Sequence, residues 1–231
     1  MATPNLGLPF IEASQAQKHV THNEALLVLD GLVQLAVLGR TLLNPPASPA
    51  EGDVWIVPAS GATGDWATHG NAVAIWRNGL WNFYPPNEGW IAHVADEGSV
   101  VFAAGAWQPH LVVTTHGAAI GLEILEEEMI CTGASVSTAI RIPARSIVLA
   151  VSVRTTVAIT GATAFDCGIA GDQAKFGGSL GIGVGATNIG VIGPTAFYAD
   201  TAVVLTALGS AFTGGQVRVA VQILTFAAPS S

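Results

Sequence analysis

The chain has 231 residues, of which half are apolar and 10% are charged, and its net charge is −8. This length predicts one large domain or two modest ones, each able to bury a core. Soluble domains usually carry about a quarter charged residues. We therefore expect copies of the chain to cover much of its exterior. The eight basic residues are scattered, which argues against nucleic-acid binding, and no apolar run reaches the length of a membrane span.

The start of the chain and its cysteines indicate the compartment. MATPNLGLPFIEASQAQKH has no basic start followed by an apolar stretch, so we predict no secretion signal and synthesis in the cytoplasm. Cys131 and Cys167 are the two cysteines and lie in separate apolar segments. This placement favours two buried thiols over a disulfide or a metal site.

A helix is predicted over residues 21–38. Thr21 and Glu24 have the spacing of a capping box, and the run EALLVLDGLVQLAVLGR follows them. One face of this helix carries apolar residues at helical spacing, namely Leu26, Leu29, Val33 and Val37. Further aliphatic residues widen that face beyond one stripe. We therefore expect the helix to be covered on more than one side, by a neighbouring sheet or by symmetry mates.

A small antiparallel sheet is predicted over residues 51–108, a region that holds all six tryptophans of the chain. The connector NPPASPAEGD precedes it, and its prolines cannot continue a helix. Short strands are expected at VWIV, AVAIWR, LWNFY and GWIAHV. Asn78 and Gly79 lie where a two-residue hairpin turn requires positive φ.

The tryptophans of this region have two interpretations. Flat apolar rings beside Asn, Asp and Arg suit a sugar ring, but a small sheet also needs large aromatic residues for its core. Trp55 and Trp76 lie within apolar strands, so we assign them to the core. Trp66, Trp81 and Trp90 follow turn sequences and are the candidates for exposed carbohydrate-binding platforms.

The second half, residues 111–231, is predicted to form a β-sandwich of the jelly-roll type. It is rich in Gly, Ala, Val, Thr and Ile, and strand patterns alternate with regular turn signals. In the last strand one face should be buried, namely Val217, Val219, Val221 and Ile223. The segment GLEILEEEMI is either a short helix or an edge strand. Its acidic triplet is interpreted as a solvated face rather than a metal site.

Two aspartates and two histidines are further candidates for a site. Asp166 and Asp172 bracket a predicted loop, where they could bind Ca²⁺ or sugar hydroxyls, or merely cap their own backbone. We include both as carbohydrate-binding candidates. His19 and His22 are three residues apart, but we favour polar residues at a helix end over a metal pair.

No catalytic residue, metal or cofactor is predicted. GGSLG has the form of a nucleophile elbow around Ser179, but no histidine follows it in the chain. GIGVGA at 181–186 has the form of a dinucleotide fingerprint, but no βαβ unit surrounds it. Paired carboxylates for glycoside hydrolysis cannot be recognised from sequence. A polysaccharide depolymerase is therefore the lesser hypothesis.

The order of segments over residues 3–108 resembles the DUF2793 family of phage-like proteins. The segments are TPNLGLPFIEASQAQKHVTHNEALLVLDGLVQLAV, NPPASPAEGDVWIV, ATGDW, AIWRNGLWNFYPPNEGW and AAGAW. The half after them contains RIPARSIVLAVSVRTTVAITGATAFDCGIAGD and FTGGQVRVAVQIL. It is similar to the β-sandwich tips that accompany this domain in prophage tail or spike proteins and in gene transfer agents.

The resemblance implies a virion component, namely a homo-oligomeric head spike or fibre of a gene transfer agent. Such a protein attaches the particle to capsular polysaccharide of the recipient cell and contacts other virion or capsid proteins. A trimer is expected, with a pentamer as the alternative. The family supplies no catalytic residue. A tail or baseplate scaffold without binding activity is the third hypothesis.

Overall fold

The computed structural model describes residues 2–11, 18–110 and 112–229. Over these residues it contains one α-helix, one 3-10 helix and sixteen strands, so the predicted mainly β class is confirmed. The chain divides into two compact units. The second unit is Ile120–Ala228, and the described residues before it, with Pro229, belong to the first. Within the described part of the chain, no helix is long and apolar enough to cross a membrane.

The N-terminal helix, α1, spans Lys18–Leu32, so the predicted range of 21–38 is wrong at both ends. Thr21 and Glu24 lie inside the helix, and the predicted capping box does not begin it. Gln34 adopts a φ of 56°, which ends the helical path. Beyond it, residues of the predicted helix form the short strand β1, Ala36–Val37, whose Val37 side chain is buried. Burial in a sheet outweighs the helix propensity of this segment.

The tryptophan-rich region forms two small sheets instead of the single sheet predicted. The first has the order β2-β3-β4, and its strands are Val54–Ile56, Val73–Arg77 and Leu80–Tyr84. The second has the order β1-β5-β6-β7, and its later strands are Ile91–Val94, Gly98–Ala103 and Ala106–Gln108. Asn78 and Gly79 join β3 to β4 with φ values of 52° and 76°, which confirms the predicted hairpin turn.

The last turns of helix α1 contact the N-terminal segment and the β2-β3-β4 sheet. Asp30 is buried, and its carboxylate accepts hydrogen bonds from the Thr3 hydroxyl and from the backbone N–H groups of Asn5 and Leu6. At Gly31 an added Cβ would lie 2.1 Å from Cδ1 of Ile75 on β3. The helix therefore approaches the sheet closely here, and a larger residue would require the Ile75 side chain to shift.

The second unit consists of two antiparallel sheets that share one hydrophobic core, as the predicted sandwich requires. One sheet has the order β10-β15-β12-β13, with strands Ser135–Ile142, Thr201–Leu208, Ala164–Ile169 and Asp172–Leu180. The other contains β14, β11, β16 and β9, which span Thr187–Phe197, Ser146–Thr160, Gly214–Ala227 and Ala119–Ile130. The remaining short strand, β8, is Val112–Val113.

Alternation along these strands follows the prediction where it is regular. The odd-numbered residues predicted to be core in β16 are all buried: Val217, Val219, Val221 and Ile223. The segment GLEILEEEMI is part of the twelve-residue strand β9, which excludes the helical alternative. Its side chains alternate between intermediate or buried positions and exposed ones.

The two sheets of the sandwich meet closely where β13 passes β14. An added Cβ at Gly190 would lie 2.0 Å from the carbonyl oxygen of Phe176 and 2.9 Å from that of Val151. Next to it, the Asn188 side chain donates a hydrogen bond of 2.9 Å from Nδ2 to the Phe176 carbonyl oxygen. Gly190 therefore permits a backbone approach that any other residue would block.

Both cysteines are free and buried in the core of the second unit, as predicted. Burial raises the pKa of the Cys131 thiol to about 11 and the pKa of the Cys167 thiol to about 12. A thiol buried among apolar side chains is held in its protonated form, which is the unreactive form.

These thiols are expected to lower the stability of the second unit at alkaline pH. Below pH 9, the ordinary thiol pKa, burial of the two neutral thiols contributes fully to the free energy of unfolding. As the pH rises towards 11 and 12, that contribution is lost, because the thiols of the unfolded chain ionise and those of the folded chain do not. We expect dithionitrobenzoate at pH 8 to label neither cysteine in the native chain and both in guanidinium. Rapid labelling of the native chain would contradict their burial.

Candidate functional site

Trp66 lies under the β2-β3-β4 sheet as the centre of an aromatic cluster. It ends the short 3-10 helix Gly64–Trp66 and has no exposed surface. Its ring centroid is 6.2 Å from that of Trp55 and 5.2 Å from that of Trp81. The ring of Trp81 in turn contacts Trp76 at a centroid distance of 5.1 Å. Trp66 thus covers one face of the sheet and supplies the core on that side.

This cluster changes the assignments made from sequence. The prediction that Trp66 is an exposed platform is wrong, because the turn GATGD directs its ring under the sheet instead of into solvent. Trp55 and Trp76 were assigned to the core, yet both are half-buried. Trp76 and Trp81 form an edge-to-face pair with part of each ring accessible. This pair is the place in the cluster where two partly accessible rings contact each other.

Trp81 and Trp90 are not brought together. Trp81 belongs to the cluster around Trp66, whereas Trp90 packs against the core that lies between the other sheet and β3. Trp90 is half-buried and precedes β5, where its backbone carbonyl accepts a hydrogen bond of 2.8 Å from the N–H of Phe102. The predicted tryptophan platforms therefore do not form one surface.

The two candidate aspartates have separate local roles. Asp166 lies within β12, and its Oδ1 accepts a hydrogen bond of 2.8 Å from the backbone N–H of Ser179. Ser179 has a φ of 55°, so the carboxylate holds an irregular part of β13. Asp172 begins β13 and forms an ion pair of 3.6 Å with Lys175. These contacts are structural, but neither is the capping of its own backbone that was the predicted alternative.

The remaining sequence motifs lie in β structure or cannot be assessed. GIGVGA at 181–186 joins β13 to β14. His22 is exposed on α1, and the side chain of His19 lies outside the described residues. Among the residues that the structure describes, no group of three or more His, Cys, Asp or Glu could hold a metal ion.

Arg77, which was not singled out from sequence, is buried at the end of β3 with 6% of its surface exposed. Its Nη2 donates a hydrogen bond to the hydroxyl of Tyr84, and its guanidinium carbon lies 5.7 Å from the centre of that ring. Its Nε has no hydrogen-bond partner. Strand alternation gives the signal that was missed, because Val73, Ile75 and Arg77 all point to the covered face.

The outer face of the β14-β11-β16-β9 sheet carries exposed aliphatic side chains. Ile189 and Val191 on β14 are 71% and 74% exposed. On β9, Leu122 and Ile124 are 70% and 65% exposed. Arg218 on β16 forms ion pairs with two even-numbered glutamates of β9. Leu122 and Ile124 are also even-numbered, so they lie on the same outer face as Arg218. Soluble proteins rarely leave such rows of aliphatic residues open to water.

A charged strip occupies the middle of this outer face. Arg218 forms ion pairs with Glu126 at 3.8 Å and with Glu128 at 3.3 Å. Arg154 on the adjacent strand β11 is exposed, and a shallow cavity of about 310 Å³ lies between the two arginines. The outer face therefore combines aliphatic edges with a polar centre.

Comparison with known proteins relates part of the first unit to a family. Residues 22–108 match the DUF2793 family. The description of that family is "Protein of unknown function". The match confirms the resemblance to DUF2793 from residue 22 onwards, and it covers α1 from His22 and every strand from β1 to β7. No curated protein matches the chain.

Two solved structures similar to the chain come from bacteriophages. One is titled "Cyanophage Pam1 capsid asymmetric unit", with 21% identity, a TM-score of 0.38, and coverage of 49% of this chain and 91% of that one. The other is titled "Acidic stable capsid structure of Helicobacter pylori bacteriophage KHP30", with 10% identity, a TM-score of 0.30, and coverage of 46% and 98%.

Proposed function

We propose that the chain is a homo-oligomeric structural component on the surface of a phage-like particle, such as the head spike or fibre of a gene transfer agent. The observation that carries the proposal is the outer face of the second unit, with its exposed aliphatic rows on β9 and β14. The DUF2793 match of residues 22–108 supports the phage-like origin through the resemblance described above. The protein is expected to contact other virion proteins as well.

Copies of the same chain are the partner that best fits the aliphatic rows. A symmetric oligomer buries the same face in every subunit, so one surface pattern accounts for all copies. The chain is only 10% charged, which is consistent with an exterior that is partly covered in the particle. A trimer is the expected assembly, and a pentamer is the alternative.

Attachment to a cell-surface polysaccharide is the second part of the proposal. The half-buried pair Trp76 and Trp81 offers a ring surface on which the C–H face of a sugar can stack. The proposed role is adhesion without catalysis. A fall in polymer length on incubation of capsular polysaccharide with the purified protein would favour the alternative, a depolymerase. Normal cell binding by a folded Trp81→Ala variant would reject the Trp76–Trp81 surface as the binding site, and failure of the native protein to bind cells would favour a scaffold.

The oligomer is tested by placing charge on the outer face. We expect the double variant Ile189→Lys with Val191→Lys to sediment as a single chain at a concentration where the native protein sediments as an oligomer. Burying two ammonium groups without partners in an interface is unfavourable. Analytical ultracentrifugation of the full chain measures the difference.

Ile91→Lys is the matched control, because Ile91 is an aliphatic residue that is also exposed but lies on β5 of the first unit and not on the outer-face sheet. This variant is expected to keep the native sedimentation coefficient. A native chain that is monomeric at all accessible concentrations would overturn the homo-oligomer.

A further inference from the structure

A cavity of about 310 Å³ lies in the first unit between α1 and the β3–β4 hairpin. Its volume is at the lower end of the range of about 300–1,000 Å³ found for ligand pockets. Leu27 and Val28 of the helix and Leu80 of the hairpin provide apolar surface. The polar lining comes from Glu24, Arg77, Asn78, Asn82 and Tyr84.

Arg77 is the unusual member of this lining. It is buried, it forms no ion pair within the described residues, and its only hydrogen-bond acceptor there is the Tyr84 hydroxyl. A buried guanidinium is normally paired with an anion, because removal of a charge from water is unfavourable. The planar fork of a guanidinium matches a carboxylate with two parallel hydrogen bonds.

The polar neighbours of Arg77 suit hydroxyl groups. Tyr84 accepts a hydrogen bond from Arg77, so its own phenolic proton is free to be donated. Asn82 donates to the backbone carbonyl of Leu80, which leaves its side-chain oxygen as an acceptor. The backbone N–H of Asn78 is bonded to the carboxylate of Glu51, which holds the hairpin turn rather than the cavity.

We infer that this cavity binds a carboxylate-bearing sugar unit, a hexuronate, with its carboxylate on Arg77. The aliphatic side chains would contact the C–H face of the ring, and Tyr84 and Asn82 would bond its hydroxyls. The inference rests on the proposed attachment to a polysaccharide and specifies its chemistry as acidic. The cavity is a second contact for that polymer, on the face of the β3–β4 hairpin opposite the Trp76–Trp81 pair. Glu24 in the lining carries a negative charge, like the ligand, and is expected to weaken binding of an anion.

The inference is tested with sodium glucuronate as the probe and glucose as its neutral counterpart. We expect ligand-observed NMR titration of the full chain to detect glucuronate and not glucose at equal concentration. Arg77→Met keeps the volume without the charge and should weaken glucuronate binding at least about tenfold. Glu24→Gln should strengthen it by about threefold, because it removes a like charge.

Folding is checked by tryptophan fluorescence, since all six tryptophans lie in the first unit. If Arg77→Met does not fold, two other variants test the inference. Glu24→Gln is expected to raise the affinity for glucuronate, and Asn82→Ala is expected to lower it. Equal binding of glucose and glucuronate, or unchanged affinity in these variants, would overturn the inference. A glucuronate oligosaccharide that binds where the free sugar does not, and loses affinity in the same variants, would identify the polymer as the source.

The oligomer test is independent of this one. Sedimentation of the native chain and of its outer-face variant involves no sugar and only second-unit substitutions. Failure of both free glucuronate and its oligosaccharide to bind therefore rejects the acidic ligand and leaves the structural role unaffected. Failure of oligomer formation rejects the structural role and does not affect the inferred ligand binding in the cavity.

Discussion

Trp66→Ala is expected to destabilise the first unit by about 3–5 kcal/mol, the range measured for truncation of large buried aromatic residues. The ring has no exposed surface and contacts both Trp55 and Trp81, so its loss leaves a cavity under the β2-β3-β4 sheet. Guanidinium unfolding followed by tryptophan fluorescence measures the change, because every tryptophan of the chain lies in the first unit.

Trp66→Phe is the matched control. It keeps an aromatic ring in the cluster and removes the indole Nε1–H, which is buried without a hydrogen-bond partner. Removal of an unsatisfied donor offsets part of the lost contact area, so we expect less than half the loss seen with alanine. A loss below about 1 kcal/mol for Trp66→Ala would contradict a core role and revive the exposed platform.

Gly190→Val is expected to destabilise the second unit by about 3 kcal/mol, at the upper end of the usual range for overpacking. Its Cβ would lie 2.0 Å from the carbonyl oxygen of Phe176 on the facing sheet, and that backbone cannot move away without separating the two sheets. Far-UV circular dichroism follows this transition. The second unit has no tryptophan. Its unfolding is therefore recognised as a change in circular dichroism without a change in tryptophan fluorescence.

Gly193→Val provides the same substitution on the same strand. An added Cβ at Gly193 has no atom within 4 Å, so valine meets open space there. Because valine favours strands over glycine, this variant should be neutral or stabilised by up to about 1 kcal/mol. Equal losses at both positions would mean that the close approach at Gly190 does not limit the sandwich.

Local patterns predicted the parts of the fold that depend on neighbours in sequence. The Asn78–Gly79 turn and the buried row from Val217 to Ile223 follow from turn chemistry and from a period of two. The end of α1 did not follow from local pattern. Val37 leaves the helix because β5, more than fifty residues later, offers it a buried place in a sheet.

The candidate site was harder to predict for the same reason. Trp66 follows turn residues that favour exposure, and only Ala74 on β3 and the rings around it explain why it is buried. Arg77 continues the row of Val73 and Ile75, but its charge hid that signal. The cavity beside it needs α1, whose position depends on the contact between Gly31 and Ile75. No single stretch of sequence contains these relations.

The parallel pairing of β1 with β5 determines when the first unit can be completed on the ribosome. The pair joins Ala36 to His93, which are 93 − 36 = 57 residues apart, and its hydrogen bonds run from the N–H groups of His93 and Ala95. At about 5–20 residues per second, the ribosome needs about 3–11 seconds to make the intervening segment. During that interval β5 has not been synthesised, so the aliphatic side chains of β1 have no strand partner and the β1-β5-β6-β7 sheet cannot form.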